Sequence, residues 1–113
     1  MEEIDGKSKE EGYLYNPPTY IVPLIKRLKL RVGPRFFLTD LAYMTFDTGG
    51  VCRDTNETIA EDWNLSVSSI QRILRSLDRD GYISRRKVKG SYPPRREIKV
   101  LYKKIEKDAI KLD

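Results

Sequence analysis

Histidine is missing altogether from the 113 residues. That one absence removes His-based catalytic triads, the commonest zinc-ligand sets and the side chain best suited to general-base work near neutral pH. Cys52 is the single cysteine, so no disulfide can form within the chain. With no imidazole to activate it, its thiol reads as a small buried strand residue. There is no Walker or other glycine-rich phosphate loop, no apolar run of about 20 residues and no secretory signal. The acids Glu57, Glu61 and Asp62 gather on one helix face beside no metal-ligating partner. A tyrosine attacking a DNA phosphate is the one formal catalytic alternative. The composition therefore points away from enzymes, and no metal, cofactor or small-molecule ligand is expected. A reducing, cytosolic setting is the default, nucleoid-associated if the chain is bacterial.

What is abundant is positive charge, unevenly placed. Lysine and arginine number 22 against 17 acids, a net of +5. Residues 1–11 hold five acids and two lysines, so residues 12–113 carry +8. Between Arg85 and Lys104 nine cations face the single acid Glu97. Edge-strand protection needs fewer lysines than that, and a polyanion is the expected partner.

The stretch Thr55 to Arg79 organises the rest. Thr55 can cap a helix beginning at Asn56, with Glu57 in its first turn, where the helix dipole favours negative charge. Ile59, Ala60 and Trp63 form its inward stripe. Asn64 suits the left-handed corner, and Leu65 is expected to pack beneath it. Ser66 then caps a second helix through the N–H of Ser68 or Ser69. Along it Ile70, Ile73, Leu74 and Leu77 repeat at i, i+3, i+4 and i+7. Its other face carries Ser68, Ser69, Gln71, Arg72, Arg75 and Arg79, short donors first and arginines further along. A helical hairpin with a merely solvated face is the plain alternative. The small Ala60 at the crossing and the offsets to Asn64, Ile70 and Ile73 favour a compact helix-turn-helix whose polar face suits a major groove.

The run TNETIAEDWNLSVSSIQRILRSLDRDGYI, Thr55 to Ile83, resembles the helix-turn-helix family of bacterial, plasmid and phage regulators, replication initiators and replisome organisers. Upstream, Gly49-Gly50-Val51-Cys52 matches the family's glycine-containing loop and short strand. Downstream, Gly81-Tyr82-Ile83 matches its helix stop and first wing strand. The resemblance covers about residues 34–102 and implies an α+β winged helix-turn-helix, a three-helix core with a C-terminal β-hairpin wing. It departs from the pattern at Asn64, where glycine is commoner, and at Trp63, which is bulkier than usual. One fold serves transcription, replication and partition, so the resemblance leaves the biological role open.

The remaining chain divides as follows. Residues 1–12 read as a disordered acidic tail. Residues 13–23, rich in proline and tyrosine, read as an extended arm lying across the domain or a partner subunit. Residues 24–103 form the winged domain. Within it Leu24, Ile25, Leu28 and Leu30 mark a short amphipathic helix, its basic face either solvated or touching phosphate. Pro34 to Phe46 is the first core helix, with Phe37, Leu38, Leu41, Tyr43 and Met44 apolar. Tyr82–Lys89 and Glu97–Tyr102 are the wing strands, joined by a tip at 90–96. Residues 104–113 form a C-terminal helix whose stripe, Leu101, Ile105, Ala109 and Leu112, either closes the core or pairs with a second copy. A homodimer would call for a palindromic site.

The expected function is therefore non-enzymatic binding of double-stranded DNA. Ser68, Ser69, Gln71, Arg72 and Arg75 are assigned to base edges, and Arg79, Arg85, Arg86, Lys87, Lys89, Arg95 and Arg96 to phosphates. Arg95 or Arg96 is a candidate for minor-groove entry, and Tyr92 either stacks, bonds a phosphate or folds back on the prolines. A small transcriptional regulator is favoured. The alternatives are a plasmid or phage replication protein and a winged helix that binds an acidic protein partner.

Overall fold

A computed structural model of the chain describes residues 17–90 and 95–111. They form an α+β fold: α1 (Pro18–Lys26), α2 (Val32–Met44), a 3-10 turn (Phe46–Thr48), β1 (Val51–Cys52), α3 (Asn56–Trp63), α4 (Val67–Asp80), β2 (Ile83–Val88), β3 (Arg95–Val100) and α5 (Tyr102–Lys111). The three strands make one antiparallel sheet in the order β1-β3-β2. β3 pairs Ile98 with both Cys52 and Arg85, and Val100 with Ile83.

The corner between α3 and α4 forms as its residues dictate. Thr55 accepts the N–H of Thr58, and Ser66 accepts that of Ser69. Asn64 closes α3 at φ 56°, the one non-glycine residue with positive φ among those described. Gly81 ends α4 at φ 86°, where an added Cβ would also stand 3.3 Å from the Lys104 side chain. Ile59, Ala60, Ile70, Leu74 and Leu77 enter a core shared with Phe37, Leu38 and Leu41 of α2 and Ile83, Ile98 and Val100 of the sheet. Ile73 packs against that core half-buried. Trp63 meets the Phe37 ring edge-on at 5.0 Å, while its indole N–H donates to Asp40 at 2.8 Å. Cys52 is buried, as expected of its strand position, and burial pushes its thiol pKa up.

Several expectations need correction. Residues 18–23 are not extended: α1 begins at Pro18 and runs through Pro23, so the arm's boundary at residue 23 falls inside a helix. Pro17 and Pro18 stand before and at the first turn, where no N–H is required, and Ile21, Ile25 and Leu28 bury themselves at i, i+4 and i+7. The short helix expected around 24–30 is the end of this one, closing in a tight turn at Arg27 and Leu28.

The first core helix starts at Val32, two residues before Pro34, and stops at Met44. Tyr43 and Met44 are exposed, and Ala42 takes a core position instead. Leu65 is also exposed rather than tucked beneath the corner. Tyr102 is fully buried as the first residue of α5 and not a strand residue, so the last helix begins two residues before 104. β3 begins at Arg95, inside the expected tip.

α5 packs on α1 of the same chain, and Ile105 and Ala109 are fully buried between these elements and the core. Ile105 and Ala109 of the C-terminal stripe therefore close the core of their own chain. Residues 1–16 and Leu112, with the tail and the Tyr13–Asn16 part of the arm, lie outside the described residues.

Candidate nucleic-acid interface

α4 supplies the centre of the surface. At about 100° per residue, Ile70, Leu74 and Leu77 point to the core, and Ser68, Arg72, Arg75 and Arg79 fall on the opposite side. Ser68, Gln71, Arg72, Arg75 and Arg79 are exposed, and Ser69 is half-buried beside Ser66, whose hydroxyl donates to its Oγ at 3.1 Å. Arg72 and Arg75 have no carboxylate partner among the described residues, and Arg79 has only a loose one, Asp80 at 3.8 Å. The structure thus brings all six predicted residues of this helix onto one side, with no acid among them.

Two grooves border that face. On the side of the β2–β3 hairpin a groove of about 330 Å³ is lined by Asp78, Arg85, Arg86, Lys87 and Arg96. On the other side a groove of about 590 Å³ runs between α4 and the start of α2, with Arg31, Arg72, Arg75 and Arg79 among its lining residues and Gly33, Pro34, Leu65 and Ile73 as its apolar part. In sequence Arg31 belongs only to a basic helical face that solvation explains equally well. Its place beside α4 follows from the packing of Gly33 against Ile73, 3.8 Å from where a Cβ would stand, and nothing local in the chain signals it.

The cations of the β2–β3 hairpin separate into classes that their sequence does not show. Arg85 donates to Asp78 of α4 at 2.9 Å, which ties the β2–β3 hairpin to the helix. Arg86 and Arg53 share Glu97, at 3.1 and 3.2 Å, and the Arg86 hydrogen bond leads in holding that carboxyl below the usual range. Arg96, read as a phosphate or minor-groove residue, is turned inward. Its guanidinium donates to Asn56 Oδ1 at 2.6 Å and to the Asp54 carbonyl at 2.7 Å, anchoring β3 to the start of α3. Burial lowers its pKa, and its Nε is buried without a hydrogen-bond partner among the described residues. Lys87 and Lys89 stay exposed with no carboxylate partner among the described residues, so they carry the open charge of β2 and its end. Arg95 is exposed and makes an interaction of its own. Tyr92 lies outside the described residues.

Chemically this surface can donate hydrogen bonds and accommodate negative charge. Among the described residues no group of three or more His, Cys, Asp or Glu side chains could hold a metal ion, and no helix is long and apolar enough to cross a membrane. No protein-family model, curated protein or solved structure matches the chain.

Proposed function

We propose that the chain is a winged helix-turn-helix protein that binds double-stranded DNA without catalysing a reaction, most simply as a small transcriptional regulator. α2, α3 and α4 form the tri-helical core and β2–β3 the wing. α4 enters the major groove, where Ser68, Gln71, Arg72 and Arg75 reach base edges, with Ser69 near the helix start. Arg79, Lys87, Lys89 and Arg95 meet phosphates. Arg85, Arg86 and Arg96 chiefly hold the wing in position.

One observation carries this reading: the outward side of α4 presents serines, a glutamine and three arginines, and among the described residues the one ion pair these arginines make is the 3.8 Å contact of Arg79 with Asp80 at the helix end. A solvated helix face in a chain with 17 acids would ordinarily intersperse both signs. Selection from a random duplex library at moderate salt tests it. Enrichment of a defined motif, with affinity falling steeply as salt rises, is the expected result. Retention without any enriched motif would remove the base-reading role of α4, and no retention at all would remove DNA as the partner.

A further inference from the structure

We infer that Arg31, with the opening turn of α2, is a second phosphate-binding element that holds the DNA strand across the major groove from the strand gripped by the wing. This rests on the reading of α4 as the helix that enters the groove. An α-helix with its side chains is about 10–12 Å across and the major groove about 12 Å wide. A seated helix therefore has one sugar-phosphate backbone on each side, and whatever flanks it on both sides meets both strands.

The two flanks are defined by the neighbours of α4. Asp78 meets Arg85 of the wing on one side, and Ile73 meets Gly33 on the other. Five residues separate Asp78 from Ile73, so the flanks stand about 140° apart around the helix axis. The wing flank offers Lys87 beside the smaller groove. The α2 flank offers Arg31 beside the larger one, whose lining holds four arginines and no acid. Cations sharing one groove repel one another, and an anion entering it relieves that repulsion.

The loop that carries Arg31 is held in place. Arg35 donates to the carbonyls of Leu30 at 2.6 Å and Leu28 at 3.3 Å, clasping residues 28–30 against α2. The guanidinium of Arg31 is exposed and, among the described residues, has no carboxylate partner. Arg31 makes no side-chain cap on α2, and the first turn holds no acid. Val32 and Gly33 supply the N–H groups next to the guanidinium, since Pro34 has none and that of Arg35 donates to the Arg31 carbonyl.

The test compares Arg31→Ala, Arg31→Lys and the double variant Lys87→Ala/Lys89→Ala on a duplex retained by the full chain, using ethylated phosphates to map the backbone positions gripped on each strand. Arg31→Ala should abolish interference at phosphates of one strand and make the salt slope of binding shallower by about 0.9 for each phosphate no longer neutralised. The double lysine variant should clear phosphates of the other strand, and Arg31→Lys should retain most of the wild-type pattern. Arg31 is exposed, so thermal melting of the variants should match wild type. An unchanged slope and pattern for Arg31→Ala, in a chain that binds duplex, overturns the inference alone. Interference that disappears from the same strand as in the lysine variant also overturns it. Removal of the Arg31-dependent interference by millimolar inorganic phosphate at fixed ionic strength would assign the groove to a free anion instead. A wild-type chain that retains no duplex would overturn the DNA reading and this inference together.

Discussion

Two parts of the molecule are about equally cationic in sequence and opposite in structure. The outward side of α4 sets Arg72, Arg75 and Arg79 in a row whose one ion pair among the described residues is the 3.8 Å contact of Arg79 with Asp80. The corner where α5 packs on α1 carries Lys103, Lys104, Lys107 and Lys111, but there acids are built in. Lys104 lies 2.8 Å from Asp108, which also accepts the Tyr82 hydroxyl at 2.6 Å, and the Lys104 ammonium sits 5.7 Å from the centre of the Tyr82 ring. Glu106, beside Tyr20 of α1, raises that phenol's pKa by accepting its hydrogen bond. At the corner Lys104 is paired with Asp108 along α5 and Asp108 with Tyr82, while the arginines of α4 are left largely open. Counting cations cannot tell the two apart. Pairing can.

The largest effect that would break this comparison lies in the corner's core. Ile105→Ala should cost about 2–4 kcal/mol in urea unfolding, because the side chain is fully buried within one chain. The midpoint should not depend on protein concentration. A concentration-dependent midpoint would mean that the stripe is shared with a second copy.

Next comes the contrast between two arginines. Arg72→Ala should leave stability unchanged and lower preference for a selected site by about 1–3 kcal/mol, read as binding to cognate against random duplex. An equal loss on both would make Arg72 a phosphate-binding residue. Arg96→Ala should do the reverse. By leaving Asn56 Oδ1 and the Asp54 carbonyl without their donor, it should lower stability by about 1–2 kcal/mol and disturb DNA binding only indirectly.

The smallest effect is titration of Asp108. Its carboxyl is held below the ordinary aspartate value, first by the Lys104 hydrogen bond and then by that of Tyr82. A depressed folded pKa gives stability that is fully present above the unfolded value, about 3.9, and lost as pH falls through the folded one. Partial exposure limits the contribution to about 1 kcal/mol or less. Urea midpoints measured from about pH 6 down to about pH 2.5 should therefore fall less steeply for Asp108→Asn than for wild type. Parallel curves would mean that the Tyr82–Asp108–Lys104 cluster adds nothing to the corner.

Much of the central region was legible from residues alone. Thr55, Asn64, Ser66 and Gly81 act through their own hydrogen bonds and backbone preferences, which depend on neighbours three or four positions away, and each does in the structure what its type predicts. Residues 18–23 mislead because proline reads as extended chain. Whether it breaks a helix depends on where it falls, and the burial of Ile21 and Ile25 in the core outweighs the hydrogen bond that Pro23 cannot make. Among site residues, the exposed side of α4 followed from its period. The inward turn of Arg96 and the approach of Arg31 did not, since Asn56 lies 40 residues from Arg96 and Arg31 is brought beside α4 by the packing of Gly33 on Ile73 of that separate helix.

By itself, then, the sequence determined the α3–α4 corner, the apolar and cationic sides of α4, and the basic hairpin that follows. All of these depend on local propensity and short-range periodicity. Tertiary structure alone decided that helices α1 and α5 close one core, which cations are neutralised across the β2–β3 hairpin, and that a second basic groove opens beside α4. Those outcomes depend on packing between distant segments, and packing chooses the partners of a charge where composition records only its sign.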